Sequence, residues 1–180
     1  MKASFFRLTL LIPGTFLGML GGCVKIPEYP RAPSISYNSV YFREEAQSDG
    51  IYLILNYKDG DGNLGLDADD IAHAPFQEMV DSAGTQVVNP NHFNIFPVLY
   101  RLVGDHYDSV LPTGYRGIFP RLRDGNQKGP IEGTIQYRMG SVNFFNEDSS
   151  IAKVKVYIQD RTLLKSNLIE TPPFLVKYKE

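Results

Sequence analysis

The segment Asp59-Gly60-Asp61-Gly62-Asn63 carries oxygen-bearing side chains at alternate positions of what must be a tight turn. Carboxylate and amide oxygens held close together suit a hard divalent cation, calcium above all. The intervening glycines let the backbone fold so that the side chains converge. The expected ligand set is Asp59, Asp61, Asn63 and a distant fourth, Asp160, with calcium as the cofactor. Asp-Gly pairs also make plain turns, so the sequence leaves a bare turn and a cation loop both open. An EF-hand is rejected. With Asp59 in the first place, Leu64 falls where that loop needs glycine; with Asp61 in the fifth, Tyr57 and Ala68 fall in the end-ligand places.

Other chemistry is sparse. Asp160-Arg161 reads as a turn-capping aspartate or an ion pair as readily as part of a site. His73, His92 and His106 stand apart without metal-ligand spacing. There is no Gly-x-Ser-x-Gly elbow and no phosphate-cradling glycine loop. Carboxylates that meet only in space, as a glycosidase needs, stay open. So does a sugar- or protein-binding face built from Tyr37, Tyr41, Tyr52, Tyr57 and Tyr157.

The lone cysteine is Cys23. Lys2 and Arg7 precede an apolar stretch, Leu8 to Leu20, that ends in Leu20-Gly21-Gly22-Cys23. This resembles the lipobox of bacterial lipoproteins, and it implies that residues 1–22 are a cleaved export signal and that Cys23 carries a covalent lipid. Residues 23–34 then form the lipidated cysteine and a tether. Pro27, Pro30 and Pro33 recur every third residue there, which favours extended polyproline II over a packed element. Removing the signal takes two bases and no acids from a chain of 18 basic and 20 acidic residues, so the net charge moves from −2 to −4. That balance argues against nucleic acid as a partner. The partners expected are the membrane, through the lipid, and a protein or a glycan.

The elements that must position these residues are strands. Ile51, Leu53, Leu55 and Tyr57 share one face of a strand, and Ala152, Val154, Val156 and Ile158 alternate with polar neighbours in another. Further strands are expected over 37–42, 93–102, 107–110, 131–139 and 174–178, with a small hairpin at 76–88 turning on Asp81-Ser82-Ala83-Gly84, and no helix is expected. Pro97 implies an edge or a bulge in its strand. The expectation for residues 35–180 is an all-β domain, an antiparallel immunoglobulin-like β-sandwich of about seven to nine strands. In that strand order, the loop after the second strand and the loop before the last lie at one end. Asp160 should therefore approach Asp59 and Asp61.

Two stretches resemble a family of small Bacteroidota lipoproteins. Tyr57-Lys58-Asp59-Gly60-Asp61-Gly62-Asn63-Leu64-Gly65 is similar to its D-G-D-G-D/N loop. Asp160-Arg161, Ser166-Asn167 and Thr171 are similar to its C-terminal D-R … S-N … T segment. The resemblance implies a lipoprotein of the cell envelope with an immunoglobulin-like sandwich. Together these readings lead to a membrane-anchored, non-catalytic binding or structural module, an accessory subunit of an outer-membrane assembly. A carbohydrate-binding module and a hydrolase are the alternatives.

Overall fold

In the computed structural model the residues described are 27–43, 50–111, 113–123, 128–140 and 149–177. The signal segment and Cys23 lie outside them. Ten strands are present among the described residues: β1 (Ser34–Arg43), β2 (Gly50–Asp59), β3 (Met79–Val80), β4 (Gln86–Val87), β5 (Ile95–Val103), β6 (His106–Val110), β7 (Ile131–Met139), β8 (Ser149–Ile158), β9 (Ile169–Glu170) and β10 (Phe174–Lys177). Every pairing is antiparallel. One sheet runs β1-β2-β7; the other runs β10-β8-β5-β6, with β9 also on β8. The chain thus changes sheets between β2 and β5, between β6 and β7, and between β7 and β8. This is the Greek-key connectivity of an immunoglobulin-like sandwich.

The period-2 pattern does what a half-buried strand requires. Ile51, Leu53 and Leu55 of β2 are fully buried against Ile95 and Leu99 of β5 and Ala152, Val154, Val156 and Ile158 of β8, all in one core cluster. Each such aliphatic side chain contributes roughly 1.5–3 kcal/mol on burial.

Three features differ from expectation. A single turn of helix, α1 (Ala68–Ala72), is present where the sequence pattern implies no helix. Asp67 accepts from the Asp70 amide and Asp70 reciprocates on the Asp67 amide, a capping box written with aspartate. A five-residue helix is too short to show a 3.6-residue period. The 76–88 hairpin pairs over two residues per arm only, and its turn is held by Asp81 Oδ1 accepting from the amides of Ala83 and Thr85. Pro97 sits inside β5, between β8 and β6. Ile95 exchanges both backbone hydrogen bonds with Gly117, so by the two-residue alternation of ladder bonds Pro97 faces the same side. The β6 ladder on that side begins only at Leu99, and the missing N–H leaves no gap.

Side chains take up backbone groups that the strand ladders leave open. The Asn167 amide accepts from Ile35 N–H and donates to Ile35 C=O, both at 2.9 Å, on the outer edge of β1. On β8, Val154 N–H donates to Thr171 Oγ1 and Ile158 N–H to Ser166 Oγ, each at 3.0 Å. No helix among the described residues is long and apolar enough to cross a membrane.

Candidate metal centre

Pairing places the start of β1 beside the end of β2, the end of β2 beside the start of β7, and the start of β5 beside the end of β8. The loop after β2 and the loop after β8 therefore share one end of the sandwich. Their backbones are joined directly, with Arg161 N–H donating to Asn63 C=O at 3.3 Å.

At that end Asp59, Asp61 and Asp160 each bring a carboxylate oxygen within 4.8 Å of the other two. Asp59 is fully buried and Asp160 is 2% exposed. Asp59 Oδ1, Asp61 Oδ1, Asn63 Oδ1 and Asp160 Oδ2 are all buried, and no hydrogen-bond donor of the protein reaches any of them. These four atoms come from the four residues expected from the sequence. Buried polar atoms without partners are rare and costly, so four on two directly joined loops, three of them on carboxylates that meet, point to a ligand that accepts oxygen lone pairs.

The other oxygens fix the orientation. Asp59 Oδ2 accepts from Asn63 N–H at 2.9 Å. Asp160 Oδ1 accepts from Thr162 N–H, Thr162 Oγ1–H and Leu164 N–H at 2.8–2.9 Å. One oxygen of Asp160 caps its turn while the other faces the cluster, so the turn-cap reading and the site reading describe two atoms of one side chain. Asn63 Nδ2 lies 3.5 Å from Thr162 Oγ1, the hydroxyl that also donates to Asp160. Arg161 turns away from an ion pair with Asp160; its guanidinium donates to the carbonyls of Leu64 and Gly65 and ties the two loops together. Gly62 has φ +71°, a conformation that costs glycine nothing.

The electrostatics agree. Burial, then the charge of Asp61, raises the Asp59 carboxyl to about 6; the Asn63 amide opposes this and the Asp160 charge adds to it. The acids further along the loop are committed elsewhere. Arg121 holds Asp70 through two hydrogen bonds, at 2.8 and 2.6 Å, and approaches Asp67 at 3.0 Å. The residues that would have closed an EF-hand from Asp59 are thus absent from the cluster. The histidines stay apart, on Asp69 and Phe76 carbonyls and beside Asp105 and Asp108.

The tether contributes residues that no local pattern announced. Gly60 N–H donates to Pro30 C=O at 3.0 Å, and a Cβ on Gly60 would run into the carbonyl oxygens of Tyr29 and Pro30. Arg31 Nε lies 3.5 Å from Asp61 Oδ2, and Tyr29 donates to Glu132 at 2.8 Å. Residues 27–30 form neither helix nor strand, the chain bends at Arg31 and Ala32, and the stretch is docked on the loop.

All four free atoms are oxygens, from three carboxylates and an amide, with neither imidazole nor thiolate among them. That donor set fits calcium and disfavours zinc or copper. Calcium–oxygen bonds of about 2.3–2.6 Å put opposite ligands about 5 Å apart, a span that accommodates the three carboxylate oxygens, which lie within 4.8 Å of one another.

The tyrosines do not form one face: Tyr52 and Tyr57 are buried, Tyr41 stacks on Tyr52 with ring centres 5.1 Å apart, and Tyr157 belongs to the other sheet. Two surface hollows of about 230 and 260 Å³ lie beside the β3–β4 hairpin and beside β1–β2, and neither is lined by two carboxylates among the described residues. Comparison with protein-family models, curated proteins and solved structures finds no match to this chain.

Proposed function

We propose that the chain is a calcium-binding, non-catalytic β-sandwich module, tethered to the outer membrane through a lipid on Cys23, where it acts as a binding or structural subunit of an envelope assembly. The observation that carries the cation reading is the convergence of Asp59 Oδ1, Asp61 Oδ1, Asn63 Oδ1 and Asp160 Oδ2, buried and without protein donors. A divalent ion there satisfies four acceptors and neutralises carboxylates that otherwise repel. Magnesium fits less well, because it demands a tight octahedron and gives up its waters reluctantly. The anchor reading rests on the Leu20-Gly21-Gly22-Cys23 sequence.

Thermal melting in calcium and in chelator tests the site. At about ten times the dissociation constant, linkage adds roughly 1.4 kcal/mol, a rise of about 3–6 °C for a domain of this size. Identical curves in calcium and chelator would leave only a turn. For the anchor, Cys23→Ser should move the protein out of the membrane fraction; unchanged fractionation and acyl labelling would refute it.

A further inference from the structure

The outward face of the β10-β8-β5-β6 sheet carries a group of cations held over aromatic rings. Lys153 Nζ lies 4.1 Å from the Tyr107 ring centre and Lys155 Nζ lies 5.1 Å from that of Tyr100. Lys165 Nζ is 5.3 Å above Tyr157, and the Arg116 guanidinium is 5.8 Å above Phe96. Tyr157 and Phe96 are themselves stacked, with centres 4.6 Å apart and planes 7° from parallel. Each cation thus rests on a ring, which fixes long side chains that would otherwise lose entropy on binding.

Among the described residues, one carboxylate pairs with these cations. Glu170, on the short β9, bonds Lys153 at 2.7 Å and Lys155 at 3.3 Å, and the two ammonium groups hold its carboxyl below the usual range. It shows in place what the face accepts. Lys165 and Arg116 pair with no carboxylate among the described residues, and they flank the same aromatic stack. Four cations against one acid, on a chain of net charge −2, is a segregated surface.

We propose that this face docks an acidic protein segment in extended conformation, gripped by Lys153, Lys155, Lys165 and Arg116. Charge complementarity selects an anion. The rings select peptide over anionic glycan, because each ring already has a cation over it and none is left open for a sugar to stack on. Spacing selects the extended form. Outward positions on β8 recur every second residue, about 6.7 Å apart, and alternate side chains of an extended peptide repeat at the same interval. The surface shares no side chain with the cation cluster, although Lys165 follows Leu164, whose amide donates to Asp160.

The test is fluorescence anisotropy on the mature lipidated chain in non-ionic detergent, with a labelled synthetic peptide alternating Glu and Ser. The comparison probes are an isomer with the same glutamates in one consecutive block, and polygalacturonate as competitor. The alternating peptide should bind and weaken as salt rises. The block isomer should bind several-fold more weakly. The double variant R116E/K165E should lower affinity about ten-fold, each reversal being worth a few-fold, with the calcium melting response unchanged. If the double variant does not fold, Lys165→Gln alone should still cost about two- to three-fold. Absence of binding, equal affinity for the two peptides, or an unaffected double variant overturns the proposal. Tighter binding of polygalacturonate than of peptide also overturns it and assigns the face to a glycan.

Discussion

Replacing Asp59 by Asn removes charge from the most buried carboxylate of the cluster while keeping an oxygen that can accept from Asn63 N–H. Its consequence can be worked from the raised acidity constant. An ordinary aspartate titrates near 3.8, and Asp59 does so at about 6. Each unit corresponds to about 1.4 kcal/mol, so at neutral pH the ionised group costs the calcium-free fold about 2–3 kcal/mol. The sign follows from proton linkage. A folded-state value above the unfolded one means that the folded protein binds the proton more tightly, so stability falls as pH rises from about 4 to 6 and the full cost is present above 6. In chelator at pH 7, Asp59→Asn should therefore melt higher than the wild type, by about 4–12 °C given about 2–4 °C per kcal/mol. At pH 5 the gap should shrink by about half, because the wild-type carboxyl is then mostly protonated. In saturating calcium the order should narrow or reverse, since the ion needs the ionised form and the variant has lost a ligand. Calorimetric melting of both proteins at the two pH values, with calcium and with chelator, covers every arm. A variant that melts at or below the wild type in chelator at pH 7, or a gap that ignores pH, would refute the argument that repulsion and burial strain this site.

Asp160→Ala should abolish most of the calcium response and also cost about 2 kcal/mol in chelator, because Thr162 and Leu164 lose their acceptor; equal stability in chelator denies the capping role. Asp61→Ala should abolish the response without that cost, since its second oxygen meets only the exposed Arg31 at 3.5 Å, and a persisting calcium shift removes it from the ligand set. Arg31→Gln should tighten calcium binding about two- to five-fold at low salt by withdrawing a competing positive charge, and calorimetric titration should show the difference fading at high salt. Asn167→Ala should lower stability by about 1–3 kcal/mol by orphaning both backbone groups of Ile35; denaturant titration would expose a neutral effect.

The strands and the metal-site residues were legible for the same reason. Alternation of Ile51, Leu53 and Leu55, or of Val154, Val156 and Ile158, is written within a few residues of chain, and once two sheets are inferred the strand order alone brings Asp160 to Asp59. What the sequence withheld depends on partners far apart in it. Asn167 meets Ile35 across 132 positions, and Pro30 meets Gly60 through a backbone bond that carries no side-chain signature. The lysine-on-ring array needs β8, β5 and β6 in register before Lys153 can lie over Tyr107 or Lys155 over Tyr100. The Asp67 capping box was in plain view, but one helical turn is shorter than the period by which helices are recognised.

An open sheet ends in backbone groups that will pair with any other extended chain, and β1 is one such margin of this sandwich. At Ile35 that margin is occupied by the Asn167 side-chain amide, which stands in for a neighbouring strand. The amide satisfies the backbone there and then stops, since it offers no fresh row of donors on its far side. An approaching chain therefore finds no free ladder at Ile35, and edge-to-edge pairing with β1 has to begin further along the strand.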